Sequence, residues 1–401
     1  MSVIGIVCEY NPFHTGHGYH MEMSKNSLNE EAPAICVMSG DFVQRGEAAV
    51  YSKFARAEAA CRSGANLVIE LPLPWALSSA ENFARGSVAI LDALGATHLS
   101  FGSESGDIRP LDNLAQILLD PGLNAEIKDI MNEDGSLSYA AARQIAVTRR
   151  EGEIGELLEK PNNILGIEYI KAIYDLRLNI KPMTVERYGS GHDREFYGRG
   201  PKSASELRAM LFRGLDPSEY IPRTAFEVYK RERERGRELS NREILETAML
   251  SRLRMLKAED FEALPDGSDG IGRRLYNAAK EETSLDSILA STKTKRYALS
   301  RIRRMCLCAA LGIKNGMAEG IPPYARVLAA DSRGCELIKA ATENGKIPLI
   351  TKPASVKALS AEAREVFELG ARAHDFYVLG YRAQAERRGG MDWRVSPVII
   401  K

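Results

Sequence analysis

The stretch MSVIGIVCEYNPFHTGHGYH, residues 1–20, decides the fold of this chain. Residues 3–8 form an apolar run whose length and β-branched side chains are typical of a buried parallel strand. Asn11, Pro12 and Gly16 then mark a turn, and the residues after them have helical spacing. The stretch therefore predicts a strand–loop–helix unit, with its loop at the carboxyl end of the strand.

Two histidines of this unit, His14 and His17, are candidates for binding a phosphate group. Together with His20 they make up half of the 6 histidines in the chain. A helix N-terminus presents unpaired N–H groups and the positive end of a dipole, and both attract phosphate. Gly16 allows the backbone to approach a ligand closely, and both imidazoles can donate hydrogen bonds to phosphate oxygens.

Two other interpretations of the histidines remain open. One is a surface turn that contains them by chance, which their clustering disfavours. The other is a zinc site, since histidine is the commonest metal ligand. Beside the histidines only Cys8 and Glu9 offer further ligands, and both belong to the end of the strand. We therefore expect no metal site here.

Strand signals recur along the first half of the chain and alternate with helical segments. They lie at residues 34–38, 65–71, 178–185 and within 96–104. Such alternation predicts an α/β fold with a Rossmann-like parallel sheet. Ligands of these sheets bind at the carboxyl ends of the strands, so the loops after the strands share one rim with the histidines.

Residues near the other strand ends extend this candidate site. Lys53, in a helical segment after the second strand, would contact a triphosphate as a compact cation. A solvated helix face is the equal alternative for this lysine. Gly102, at the exit of the fourth strand, would bring the backbone against an adenine or a ribose. Asp41, in the polar loop after the second strand, lies on the same rim.

Two more candidates flank the fifth strand. Asn162 fits the N-cap of a helix, from which its side chain would also reach a ligand. Arg187 would clamp a phosphate or stack on an adenine, the alternative being a structural salt bridge. A glycine-rich loop at residues 188–193 follows this arginine.

The second half of the chain differs in pattern from the first. Pro217 and Pro222 mark a boundary, which divides the chain into a domain at 1–222 that carries the candidate phosphate site and a mainly α-helical domain at 223–401. Strand signal in the second domain is weak, and residues 347–350 form at most an edge strand because of their prolines.

A basic segment at residues 293–304 stands out in the helical half. It contains six cations and no acid, with Tyr297 interleaved. Such clusters neutralise phosphates, and a tyrosine can stack on a base. The alternative is a basic helix packed against acidic neighbours. The family resemblance described below favours RNA binding. If the segment binds RNA, we expect the contacts from five of its cations: Lys295, Arg296, Arg301, Arg303 and Arg304.

The composition places few constraints on function. The 401 residues contain 54 Lys and Arg and 54 Asp and Glu, so the net charge is zero and gives no global sign of nucleic-acid binding. The 6 cysteines are scattered, without metal or redox spacing. We find no signal peptide and no apolar run long enough to span a bilayer, and we expect a cytoplasmic protein.

Several motifs resemble those of a known family. HTGH after a first strand is similar to the HxGH signature of the nucleotidyltransferase α/β-phosphodiesterase superfamily. The longer strings EYNPFHTGHGYH, MSGDFVQRGE, SAENFARG, PNNILGIEYIKA and KRYALSRIRR resemble the bacterial tRNA(Met) cytidine acetate ligase family. KSASELR resembles the ISSTxIR motif of HxGH nucleotidyltransferases, with Ala204 in place of the second serine.

The resemblance implies an activity. Members of the family activate acetate with ATP as acetyl-adenylate and acetylate the N4 amine of the wobble cytidine of elongator tRNA(Met). It implies catalytic roles for His14, His17 and Lys53, and it is compatible with Mg²⁺. It also implies ATP contacts for a larger set: Val7, Cys8, Glu9, Tyr10, Asn11, Pro12, Phe13, His14, Thr15, Gly16, His17, Gly18, Tyr19, His20, Gly102, Asn162, Arg187 and Arg208.

Two other functions are left open by the sequence. One is a nucleotidyltransferase that adenylylates a small-molecule phosphate, although such chains are usually shorter and would not need the basic helical half. The other is a non-catalytic RNA-binding protein that retains a nucleotide pocket. The residues also do not distinguish acetate from another small carboxylate, and they do not give the oligomeric state.

Overall fold

The computed structural model describes residues 2–28, 32–187 and 202–401. Its strands are β1 Ile4–Cys8, β2 Ala34–Ser39, β3 Phe42–Val43, β4 Glu47–Ala48, β5 Leu67–Leu71, β6 His98–Ser103, β7 Lys181–Glu186, β8 Ala325–Ala330, β9 Leu349–Ile350 and β10 Val398–Ile399. Its helices up to the middle of the chain are α1 Thr15–Asn26, α2 Lys53–Arg62, α3 Leu73–Ala76, α4 Ala80–Ala93, α5 Ile108–Leu118, α6 Pro121–Glu133, α7 Tyr139–Glu151, α8 Pro161–Asp175 and α9 Ala204–Phe212. The later helices are α10 Arg223–Glu234, α11 Arg242–Met255, α12 Ala258–Glu262, α13 Ile271–Glu281, α14 Leu285–Thr292, α15 Leu299–Leu311, α16 Ser332–Asn344 and α17 Ala361–Tyr377.

The central sheet has the strand order β10-β8-β5-β2-β1-β6-β7, with β9 paired to β8. Strands β5, β2, β1, β6 and β7 are parallel to one another. Every residue of β2 and β5 is buried, because helices cover both faces of the sheet. The predicted α/β class with a mainly parallel sheet is confirmed, and each of the five predicted strands is present.

Strand β8 is the main element that the sequence did not reveal. Its sequence, ARVLAA, is rich in alanine, which has low β propensity, and it lies in the half of the chain whose pattern predicts mainly helix. It pairs antiparallel with β5, and β10 pairs with β8 in turn. The end of the chain therefore returns to the sheet of the first half, across the boundary predicted at residue 222.

Three hydrophobic clusters surround this sheet. One lies between the sheet and α4 to α8, and a second lies on the other face under α1, α2 and α10. The third is formed mainly by α11 to α15 and α17, so the helical segment after α10 has a core of its own. None of the helices in the described ranges has the length and apolar character needed to cross a membrane.

Candidate nucleotide-binding site

A cavity of about 560 Å³ opens at the carboxyl ends of β1, β6 and β7. The N-terminal turns of α1, α8 and α9 form the rest of its wall, together with the β3–β4 hairpin. Three helix N-termini therefore face the same space, which favours an anionic ligand. This is the rim on which the sequence placed the candidate residues.

His14 and His17 form a reciprocal cap at the start of α1. His14 Nδ1 accepts a hydrogen bond from the Gly16 N–H at 3.1 Å, and His17 Nδ1 accepts one from the His14 N–H at 3.2 Å. The two rings are stacked, with centroids 3.7 Å apart. Because Nδ1 is the acceptor in both neutral rings, the proton of each lies on Nε2. The two Nε2–H groups are then the donors available to a ligand.

Burial keeps both imidazoles neutral at physiological pH. It lowers the pKa of His14 to about 4, and the Arg187 guanidinium contributes to this shift. Burial also holds the pKa of His17 well below its usual range, with smaller contributions from His14 and Arg187. Protonation at Nδ1 would in addition break the capping hydrogen bonds. The site thus offers two neutral hydrogen-bond donors.

Aromatic residues fix the loop that carries the histidines. Tyr10 and Phe13 pack against the His17 ring, with centroid distances of 4.9 and 5.6 Å. The Phe13 N–H donates to the Tyr229 hydroxyl at 2.9 Å. Tyr229 belongs to α10, so a helix of the second half of the chain supports the geometry of the first motif.

The opposite wall connects Asn162 to Arg187. Arg187 Nη1 donates to Asn162 Oδ1 at 3.2 Å, and Asn162 Nδ2 donates to Glu104 Oε1 at 2.6 Å. The predicted N-cap role of Asn162 is wrong, because α8 begins at Pro161 and its N-cap residue is Lys160. The loop at residues 188–193 lies outside the described residues.

Helix α9 supplies a further cation of the cavity wall, Arg208. Ser203 caps this helix by accepting a hydrogen bond from the Glu206 N–H. Arg208 donates from Nη1 to the Asn11 carbonyl at 3.0 Å and lies 3.6 Å from Glu47. Arg208 is thus tied to the loop before α1 and to the β3–β4 hairpin.

Most of the residues predicted to contact ATP line this cavity. They are Val7, Cys8, Glu9, Tyr10, Asn11, His14, Gly16, His17, Tyr19, His20, Gly102, Asn162, Arg187 and Arg208. Among the described residues, four predicted positions fall outside the lining: Pro12, Phe13, Thr15 and Gly18. Phe13 is fully buried behind the histidines, and Gly18 lines a separate recess. Gln44 and Arg45 line the cavity as well; their loop lies within the motif MSGDFVQRGE, but the sequence did not single out these two residues.

The structure does not bring Lys53 to the cavity. Its ammonium group is buried, 2.8 Å from Glu70 Oε1 and 2.7 Å from Asp392 Oδ2. Neither the triphosphate contact nor the solvated helix face predicted from the sequence fits this placement. No local signal could have revealed it, because one partner lies near the end of the chain.

Lys53 belongs to a buried ionic cluster in which every charge has an opposite neighbour. Asp41, also predicted on the rim, accepts a hydrogen bond in this cluster from His374 at 2.7 Å. That contact raises the pKa of His374 despite its burial. The members of the buried ionic cluster are Asp41, Lys53, Glu70, Arg326, His374 and Asp392.

The basic segment is partly neutralised within the chain. Arg303 pairs with Glu47 at 2.9 Å, Arg304 with Asp266 at 3.4 Å and Arg296 with Asp269 at 3.6 Å. Arg301 donates to the Asp266 carbonyl. The Tyr297 ring, expected to stack on a base, is buried, and its hydroxyl donates to the Asp269 carbonyl. Lys293 and Lys295 are exposed.

Metal ligands do not gather in the described ranges. Within residues 2–28, 32–187 and 202–401, no three His, Cys, Asp or Glu side chains come together in a way that could hold an ion. The glutamates of the cavity wall likewise form no such cluster.

The fold and the paired histidines define the class of this protein. The model of the HIGH Nucleotidyl Transferase family matches residues 1–392, and the chain belongs to that family. More particularly, it is 34% identical to the tRNA(Met) cytidine acetate ligases of Acetivibrio thermocellus and Thermosipho africanus, over 100% of each chain. It is thus a member of the tRNA(Met) cytidine acetate ligase family, which confirms the resemblance seen in the sequence.

Solved structures agree with this assignment. The chain matches Thermotoga maritima TmcAL bound with alpha-thio ATP with a TM-score of 0.90 and 31% identity, over 100% of both chains. The apo form of that protein matches with a TM-score of 0.92 and 32% identity, again over 100% of both chains.

Proposed function

We propose that this chain is an ATP-dependent ligase that activates acetate as acetyl-adenylate and acetylates the N4 amine of the wobble cytidine of elongator tRNA(Met). The observation that carries the proposal is the reciprocal histidine cap, which leaves two neutral Nε2–H donors at a helix N-terminus inside a large cavity. Family membership supplies the substrates, because the relatives are named for them.

The first step needs positioning and charge stabilisation more than covalent help. An acetate oxygen attacks the α-phosphorus of ATP, the new P–O bond forms, and pyrophosphate leaves with the electron pair of the broken P–O bond. His14 and His17 would hold the phosphate oxygens through this change at phosphorus. Arg187 and Arg208 would balance the charge of pyrophosphate. Mg²⁺ enters the proposal only as a counter-ion of the triphosphate.

The second step transfers the acetyl group to RNA. We assign tRNA contacts to the segment between α10 and β8, whose basic stretch at residues 293–304 lies beside the β3–β4 hairpin. Arg303 and Arg304 already pair within the chain, so their contribution to RNA binding requires an exchange of partners. Lys293 and Lys295 are exposed and would contact phosphates directly.

The first experiment is ATP–pyrophosphate exchange in the presence of acetate. We expect His17→Ala to lower the exchange rate about 100-fold or more, because one donor to the reacting phosphate is lost. His98→Gln is the matched control, since His98 lies in β6 away from the cavity wall. Exchange at the wild-type rate in His17→Ala would refute the assignment of this loop.

The second experiment tests the RNA substrate. Wild-type protein, ATP, labelled acetate and elongator tRNA(Met) should yield N4-acetylcytidine at the wobble position, detected by mass spectrometry. Transfer of an adenylyl group to a small-molecule phosphate instead would point to the nucleotidyltransferase alternative. The absence of any turnover would point to the non-catalytic RNA-binding protein.

Charge reversal locates the RNA surface. The double variant Lys293→Glu and Lys295→Glu should weaken tRNA binding while acetate-dependent exchange continues. The negative slope of the logarithm of the tRNA-binding constant against log salt should become shallower by about 2. The control pair, Lys339→Glu with Lys357→Glu, changes the net charge equally at exposed sites outside the basic segment. Equal effects of both pairs on tRNA binding would contradict the assignment.

A further inference from the structure

Glu9 is the first residue after β1 and lines the cavity beside the histidines. Its position is fixed from two sides. Arg56, which is fully buried, donates from Nη1 to the Glu9 carbonyl at 2.5 Å. The Gln44 N–H of the β3–β4 hairpin donates to Glu9 Oε1 at 2.9 Å. Among the described residues, Oε2 has no hydrogen bond or ion pair, and this oxygen is available to a bound group.

The other glutamates of the described cavity wall, Glu186 and Glu206, lack this combination of contacts. Both the N–H and the hydroxyl of Ser203 donate to Glu206 Oε2 at 2.8 Å, and this carboxylate completes the cap of α9. Glu186 is exposed, and its stem lies against Gly106, where an added Cβ would be 2.9 Å from the Glu186 Cβ. Glu9 is therefore the carboxylate of the described wall that combines a fixed backbone with a free oxygen.

We propose that Glu9 is the general base of acetyl transfer, removing a proton from the exocyclic amine of cytidine as it attacks acetyl-adenylate. This inference rests on the proposed function and deepens it. It requires a carboxylate inside the cavity that can come within hydrogen-bond reach of the reacting nitrogen. The Gln44 and Arg56 contacts fix Glu9 at the cavity wall, with one carboxylate oxygen left for that proton.

The step balances in atoms and electrons. The N4 nitrogen forms a bond to the acyl carbon, and the carbonyl π pair moves onto oxygen. Glu9 takes one proton from that nitrogen. The carbonyl re-forms, the bond from the acyl carbon to the phosphate oxygen breaks, and AMP leaves with the electron pair. Glu9 later returns its proton to solvent, so no further reactant is needed.

The surroundings suit this role. Burial raises the pKa of Glu9 above its usual range, and the hydrogen bond from the Gln44 N–H and then the guanidinium groups of Arg45, Arg56 and Arg208 oppose the shift. A carboxylate of raised pKa accepts a proton more readily than an exposed one does, and the arginines offset part of the cost of burying its charge.

The experiment separates the two half-reactions. ATP–pyrophosphate exchange with acetate reports the first, and single-turnover transfer from added acetyl-adenylate to tRNA reports the second. We expect Glu9→Gln to lower the ratio of transfer rate to exchange rate about 100-fold or more. Wild-type transfer should rise with pH to a plateau, and the variant should lose this dependence. Glu9→Asp keeps a carboxylate and should retain the pH dependence with a smaller loss of rate.

Each result is decisive. An unchanged ratio in Glu9→Gln, or a pH dependence that survives the substitution, overturns the role of Glu9 and leaves the proposed function intact. Absence of acetate-dependent exchange in the wild type overturns both. If Glu9→Gln does not fold, Glu9→Asp decides: a displaced pH midpoint of transfer supports the proposal, and an unchanged midpoint with an unchanged rate refutes it.

Discussion

Replacement of Lys53 by methionine distinguishes the two roles that the sequence and the structure give to this lysine. The sequence predicted a contact with the triphosphate. In the structure, the lysine side chain is 1% exposed and its ammonium pairs with Glu70 and Asp392. Lys53→Met keeps most of the volume but leaves two buried carboxylates with one cation fewer. We therefore expect a loss of stability and not a loss of nucleotide affinity.

The structure sets the size of this loss. Removing one partner of a buried ion pair costs about 3–5 kcal/mol. Arg326 remains 2.9 Å from Asp392 and 3.2 Å from Glu70, so both carboxylates keep one cation. We expect the lower end of the range, about 3 kcal/mol. With a slope of about 3 kcal/mol per M, the urea midpoint should fall by about 1 M.

The assay combines urea unfolding with exchange kinetics. Lys346→Met is the matched control, because Lys346 pairs with Asp92 at 3.0 Å but is 57% exposed, and such pairs contribute about 0–1 kcal/mol. The KM for ATP of folded Lys53→Met should stay near the wild-type value. If Lys53→Met had a urea midpoint no lower than that of Lys346→Met and a KM for ATP raised about tenfold or more, Lys53 would contact the triphosphate and its structural role would be refuted.

Three further predictions concern the site and its supports. Lowering the pH from 6.5 to 4.5 should reduce the unfolding free energy by about 2–3 kcal/mol through His14, because His14 is then protonated mainly in the unfolded chain. The urea midpoint of His14→Gln should lack the His14 contribution to this pH dependence. Gly102→Ala places a Cβ 3.1 Å from Arg187 Cγ and should raise the KM for ATP in the exchange assay about tenfold. Gly46→Ala adds a Cβ at a residue with φ +78°, 2.6 Å from the backbone nitrogen of Arg304. This change should lower the free energy of unfolding, measured with urea, by about 2 kcal/mol.

Local patterns predicted the parts of this fold that local physics determines. The β-branched apolar runs of β1, β2 and β5 have one energetically reasonable environment, the middle of a sheet covered on both faces. The histidine cap is equally local, because its hydrogen bonds join residues two and three positions apart. The sequence therefore predicted the strands and the position of the histidines at the start of a helix, although not the hydrogen bonds of the cap.

Long-range partners explain what the sequence could not give. An alanine-rich strand such as β8 is stabilised by the neighbour that it finds at β5, more than 250 residues earlier in the chain, and not by its own propensity. The position of Lys53 likewise depends on Asp392, 339 residues away. The helical pattern around Lys53 is the same whether its ammonium faces solvent, a nucleotide or a buried carboxylate.

The β3–β4 hairpin links the nucleotide cavity to the basic helix α15. On one side, Gln44 lines the cavity and orients Glu9. On the other side, Gly46 lies so close to the first turns of α15 that no side chain fits between them, and Glu47 pairs with Arg303. Under the proposed function, an RNA that draws Arg303 away from Glu47 would loosen the hairpin on the side that holds Glu9. Binding of RNA to the basic segment would then change the position of the Glu9 carboxylate, the proposed general base, through the hydrogen bonds of the hairpin.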